Sequence, residues 1–325
     1  MAVIVLKSNK DNIKQRFEEV FKKLNFLPRG KILIKPNFSG RPPVINGENT
    51  DPDILRKLVE ILIDRGAKKV IIGHGGLLGT LDKKFPFEKI IKEGGFSFLR
   101  KIPKTELLDF DKEKKKLIEY EGFSFLIPKI IEEFDFYINF AKLKTHMETT
   151  ITLSLKNQMG LVFMADRIKM HKTDLEKSIA YLGKLIKPTL SIIDGIIAME
   201  GNGPHHGESR KLDLVIAGDD MVELDSVTSF LIGVNFKEVP HISIAEKIGV
   251  GKYPDKNYLD FIRRYRLDDF KLAERYEKFG KNIYVWPTTA CSRCITALNE
   301  SGKIIKKHPF RNLGLLKKYS SIIRK

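Results

Sequence analysis

The sequence predicts an α/β protein, built as a mainly parallel sheet of strand–helix units with helices on both faces. Three observations carry that prediction. Short apolar runs alternate with amphipathic stretches through the first third of the chain, the pattern that pairs strands in parallel by right-handed crossovers. The apolar runs have strand length, and none reaches the roughly 18 residues of a membrane span. The chain has 325 residues, 42% of them hydrophobic, which is enough for a sizeable core.

Residues 2–8, AVIVLKS, form the first predicted strand, because the apolar run ends too soon at Lys7 to be a secretory signal. Ile13, Phe17, Val20 and Leu24 then make one stripe of a helix over 11–25. KILIKPNF is a buried strand ending in a turn. Thr50 or Asp51 caps the next helix, Pro52 takes its first turn and Gly66 closes it. KKVIIGHGG is the following strand. Further on, Thr173 and Glu176 form a predicted capping box, Pro188 stops that helix, and TLSIIDG is a strand. A polar loop, AMEGNGPHHGES, leads to the strand LDLVIAGDD and a helix capped by Asp220 and Glu223. Residues 1–250 read as the α/β core, with 81–130 the candidate for a second, smaller lobe. Residues 251–325 read as a charged helical segment.

Parallel sheets bind ligands beyond the carboxyl ends of their strands. The exits that stand out are Lys35-Pro36-Asn37, His74-Gly75-Gly76 and Asp194-Gly195. Lys142, Lys144 and His146 are spaced two apart, so an extended segment puts all three on one face. Two ammonium groups beside an imidazole would attract a carboxylate or phosphate and depress the histidine pKa. The bland alternative is a solvated lysine edge. Thr150 to Lys156 alternates polar and apolar and fits a strand or a short helix. In either form, Lys156 and Asn157 could bind substrate oxygens. Gly201, Asn202 and Gly203 could turn N–H groups inward as an anion nest, or form an ordinary turn. This is not a dinucleotide motif, and His205 and His206 lack a metal-ligand spacing.

The chain's two cysteines fall in one C-x-x-C, Cys291 and Cys294. A redox dithiol, half of an iron–sulfur or other metal site, and a structural role all remain open. A homodimer could complete a four-thiolate cluster across its two-fold axis. The net charge of +17 comes from dispersed lysines that alternate with glutamates. Together with only two glutamines, this composition resembles that of thermophile proteins. Nucleic acid is disfavoured as a partner, since no aromatic and basic platform is present. The expected location is the cytoplasm, with no membrane partner.

KPNF, YINFAKLKTH, TLSLKNQMG, His171, IIDGIIAMEGNGPHHG and IAGDDMVELDSV occur in an order that resembles the family called domain of unknown function 362, over roughly residues 30–235. The matching positions are Lys35, Asn37, Lys142, Lys144, His146, Lys156, Asn157, His171, Asp194, Glu200, Asn202, Asp219 and Asp225. Many relatives carry an added ferredoxin-like module, whose four-cysteine runs this chain does not have. The residues together predict an enzyme for a small anionic substrate. Lys35, Lys144 and Lys156 would hold oxyanions, and Asn37, Lys142 and Asn157 would assist them. The 201–203 loop would donate N–H groups, and His146 would act as general acid/base with Asp194 or Glu200 as its partner. The competing reading is a redox or iron–sulfur protein using the two cysteines.

Overall fold

Ile32, Leu33 and Ile34 are completely enclosed, as a strand covered on both faces must be. They belong to the middle of a large sheet in the computed structural model, which describes residues 3–38, 47–76 and 86–273 and two short strands beyond. The strands are β1 (Val3–Lys7), β2 (Gly30–Lys35), β3 (Ala67–His74), β4 (Thr105–Asp109), β5 (Lys115–Tyr120), β6 (Phe123–Pro128), β7 (Phe136–His146), β8 (Thr150–Thr152), β9 (Leu190–Asn202) and β10 (His206–Gly218). The main sheet runs β1-β10-β9-β7-β2-β3-β4, with β8 paired to β7. Strands β9, β7, β2, β3 and β4 are mutually parallel. β10, β1 and β8 add antiparallel pairs at one edge and one end. β5 and β6 make a separate hairpin.

The helices are α1 (Ile13–Lys23), α2 (Pro52–Asp64), α3 (Phe87–Glu93), α4 (Ser154–Asn157), α5 (Met164–Lys172), α6 (Leu175–Leu185), α7 (Met221–Leu231), α8 (Pro240–Lys247) and α9 (Lys256–Ile262). Alternate strand residues feed two cores. Ile32, Ile34, Ile138 and Phe140 pack with Phe17 of α1 and Leu58 of α2. Leu33, Tyr137, Ala141 and Leu143 pack with Ile179 of α6 and Val227 of α7. Helices therefore cover both faces of a mainly parallel sheet, as the sequence predicts. Among the described residues no helix is long and apolar enough to cross a membrane.

Local chemistry sets the element ends. Asp51 accepts from the N–H groups of Asp53 and Ile54 at the start of α2, whereas the Thr50 hydroxyl accepts from Asn37 N at 2.8 Å. Asp220 accepts from Val222 N and Glu223 N and so caps α7. Three expectations are corrected. The capping box at Thr173 does not form: Asp174 caps α6, Thr173 donates to Lys169 O, and Glu176 accepts from His241 of α8. The polar stretch 198–209 is not a loop but the extended end of the β9–β10 hairpin, with Glu200 opposite Glu208. For the same reason Asp194-Gly195 lies inside β9 rather than at its exit.

The chain divides into two units, Met1–Ala273 and Glu274–Lys325. In the second, β11 (Glu277–Lys278) pairs antiparallel with β12 (Tyr284–Val285). Cys291 and Cys294 lie outside the described residues.

Candidate functional site

The carboxyl ends of β2, β3 and β7 meet the short helix α4, and polar side chains are buried there together. Asn157 is the hub. Its Oδ1 accepts from Lys35 Nζ at 2.8 Å and Asn37 Nδ2 at 2.9 Å. Its Nδ2 donates to Asn139 Oδ1 at 2.7 Å and to the Lys35 carbonyl at 3.4 Å. All four capacities of the amide are used, which fixes its orientation. Asn139 in turn donates to the Ser154 carbonyl.

α4 is one turn long and is held from outside. Asp225 on α7 accepts from Ser154 N at 2.8 Å and Leu155 N at 2.9 Å. Burial raises that carboxyl to about 6, even though the two N–H groups favour its charged form. This anchor sets the position of Lys156 and Asn157.

β7 presents Lys142, Lys144 and His146 at every second position, as the sequence predicts. Lys142 Nζ binds Asp194 Oδ2 at 2.7 Å in a buried ion pair. Lys144 Nζ donates to the Glu48 carbonyl at 2.8 Å. Lys156 Nζ lies 2.7 Å from His146 Nε2 and 3.0 Å from Thr149 Oγ1. The imidazole Nδ1 accepts from the N–H groups of Glu148 and Thr149, at 3.1 and 3.3 Å. The Thr150–Lys156 ambiguity thus resolves as both elements in succession, β8 and then α4.

Lys35, Lys142 and Lys144 are each 1% exposed and Lys156 is 8% exposed. Such burial penalises the charged amine. It pushes Lys144 down to about 7, with Lys156 and Lys142 adding repulsion and Glu48 opposing it. Burial pushes Lys156 down to about 8, against the pull of Glu148 and Glu176. Lys35 falls well below the usual lysine range through burial and the charges of Arg167 and Lys144. Burial and neighbouring lysines also hold His146 and His74 well below the usual imidazole range. These mutual influences place Lys35, Lys144 and Lys156 in one electrostatic neighbourhood rather than on separate surfaces.

Other predicted residues sit differently. Glu200 accepts from Arg210 Nη1 and Lys271 N, and Asp194 is bound to Lys142. Neither is a hydrogen-bond partner of His146, whose side-chain partner is Lys156. The glycines do not form an anion nest. Gly201 N donates to Lys271 O, and Gly203 N donates to Gly201 O. Gly203 is needed because its Cα lies against the Thr145 carbonyl, where a Cβ would collide. Asn202 pairs with His206 in the hairpin. His171 faces Glu148 at 3.2 Å, and Asp219 is exposed.

Five residues at the site escape sequence reasoning: Glu48, Asn139, Thr149, Gly160 and Arg167. Asn139 was detectable as an amide inside the apolar run YINF. Gly160 backs onto Lys35 Nζ and His74 Nε2 so closely that any Cβ there would strike both. Arg167 donates to the Gly76 carbonyl at 2.7 Å. Among the described residues no group of three or more His, Cys, Asp or Glu is arranged to hold a metal ion. Thr152, directly opposite Lys144 in the β7–β8 ladder, is 4% exposed, and its hydroxyl has no partner among the described residues.

Fold and site together define an α/β protein with a buried basic cluster at its strand ends. Residues 32–229 match the family described as a domain of unknown function (DUF362), and the chain belongs to that family. A thylakoid-associated protein of Synechocystis sp. is 27% identical over 265 residues, covering 77% of this chain and 78% of that protein. A crystal structure of a protein from Thermotoga maritima is 14% identical with a TM-score of 0.40. That match covers 74% of this chain but 58% of the Thermotoga maritima chain, less than two thirds of its length.

Proposed function

We propose that the protein is an enzyme acting on a small substrate that carries a carboxylate or phosphate. One observation supports this above the others: Lys35, Lys142, Lys144 and Lys156 are all buried, with Lys156 against His146 and Lys142 in an ion pair with Asp194. Burying several amines close together is costly while they are charged. The cost is relieved either by loss of protons or by arrival of an anion. Lys35 and Lys144 hold the anionic group in this reading, with Asn37, Asn157 and the Thr152 hydroxyl beside them. His146 and Lys156 form the acid/base pair, since they touch one another and burial holds both below their usual ranges.

Thermal unfolding with inorganic phosphate and with malonate tests the reading. A ligand at 100 times its Kd adds about 2.7 kcal/mol of stability. At least one anion should raise the melting temperature of the wild type, and the shift should shrink in a folded Lys144→Ala variant. No shift with either anion, or an equal shift in the variant, would reject the site. The competing redox or iron–sulfur role rests on the Cys291–Cys294 spacing. Two thiols supply half of a four-thiolate set. Iron content and visible absorption after anaerobic purification decide it, and colourless, iron-free protein with inert thiols would rule it out.

A further inference from the structure

We infer that Lys156 is an imine-forming nucleophile, and that the anionic substrate therefore carries an aldehyde or ketone carbonyl beside its carboxylate or phosphate. The inference deepens the reading above and rests on it.

The hydrogen-bond partners of His146 fix where its proton sits. Backbone N–H groups only donate, so the two that point at His146 Nδ1 require a lone pair on that nitrogen. A neutral imidazole then carries its proton on Nε2. The atom facing that proton, 2.7 Å away, is Lys156 Nζ. An ammonium has no lone pair to accept it, whereas a neutral amine does. The Thr149 hydroxyl does not change this, because it donates to the Ile151 carbonyl and so accepts one Lys156 N–H. The histidine is thus locked in the tautomer that stabilises a neutral, nucleophilic lysine.

The other three amines have different surroundings. Lys142 is bound to a carboxylate, Lys144 donates to a carbonyl and Lys35 donates to an amide oxygen. Each of those partners favours N–H donation. Lys156 is also the most exposed of the four, at 8% against 1% for the rest. The groups that bear on its charge are Glu148, Glu176, Lys144 and His146.

The step balances without an oxidant or reductant. The Nζ lone pair bonds to the carbonyl carbon, and the proton that the nitrogen sheds moves to the oxygen, giving a neutral carbinolamine. When the nitrogen's lone pair is engaged, His146 Nε2–H can turn to the developing oxyanion. The carbinolamine hydroxyl then takes a proton from solvent and leaves as water. The products are a protonated imine and one water. An imine of this kind draws electrons from the adjacent carbon.

Reductive trapping tests it. Wild-type protein is incubated with sodium borohydride and either pyruvate or dihydroxyacetone phosphate, then mapped by peptide mass spectrometry. Pyruvate reports a carboxylate substrate and the triose a phosphate one. A reduced adduct on Lys156 with at least one probe is the expected result. Trapping should strengthen as pH rises through about 8. His146→Asn should slow it about 100-fold, and Lys156→Arg, shown to be folded by its unfolding transition, should abolish it. An adduct confined to other lysines overturns the assignment of Lys156. So does absence of any adduct while phosphate or malonate still raises the melting temperature, which leaves the anion site standing. Loss of both signals overturns the underlying reading as well.

Discussion

Lys144 links charge to stability in a direction that can be measured. In the unfolded chain its amine stays protonated up to about 10.5, whereas in the folded protein it releases its proton near 7. Between those values the unfolded state binds more protons, so stability rises with pH through that window and the burial penalty is complete below it. The slope from one such lysine is at most about 1.4 kcal/mol per pH unit. Denaturant unfolding at a series of pH values should show a shallower rise from 7 to 9 in Lys144→Met than in the wild type. Asn157 gives a second residue-scale expectation. Truncation to alanine removes the partner of the Lys35 amine and of the Asn139 acceptor in the interior, at a cost of about 2 kcal/mol or more in denaturant unfolding. At this scale much was legible. Spacing of two along an extended run places Lys142, Lys144 and His146 without further information. Asp194 as a partner for a lysine was legible as one alternative, whereas Lys156 for His146 and Glu48 for Lys144 were not, because the turn after β7 and a loop 96 positions away decide them.

One turn of helix cannot stabilise itself, since nucleation costs more than a few hydrogen bonds return. α4 exists because Asp225 holds its first N–H groups from another helix. Asp225→Ala should therefore cost about 2 kcal/mol near neutral pH. It should also weaken phosphate-induced stabilisation, because Lys156 and Asn157 lose their placement. An unchanged phosphate response in a folded variant would mean that α4 keeps its form without the cap. The alternation from Thr150 to Lys156 could not distinguish strand from helix, since the deciding group lies about 70 positions away. Capping shows the same limit. Asp51 and Asp220 cap locally and were legible, whereas the expected Thr173–Glu176 box yields to long-range donation from His241 to Glu176.

At the scale of the molecule, β1 closes one edge of the sheet by antiparallel pairing with β10. The strand–helix rhythm of the first third suggests parallel pairing throughout, and it holds for β2, β3 and β4. It could not assign an edge whose neighbour lies over 200 residues later. Tyr258 of α9 reinforces that edge by donating to the Val3 carbonyl at 2.8 Å. Tyr258→Phe should lower stability by about 1 kcal/mol in equilibrium unfolding, and a change within error would show the bond to be dispensable. The basic surface fits its dispersed, paired lysines: α1 and α2 carry Lys23–Glu19, Arg56–Glu60 and Lys57–Asp53 pairs at i,i+4 spacing. Each is worth only a few tenths of a kcal/mol.

Gly160 offers a way to separate shape from charge in this cluster. A single methyl group added there would evict the Lys35 amine from its seat against Asn157 without altering the count of ionisable groups. Such a mutant would be a plugged lock with all its pins still present, so any function it loses was lost to geometry.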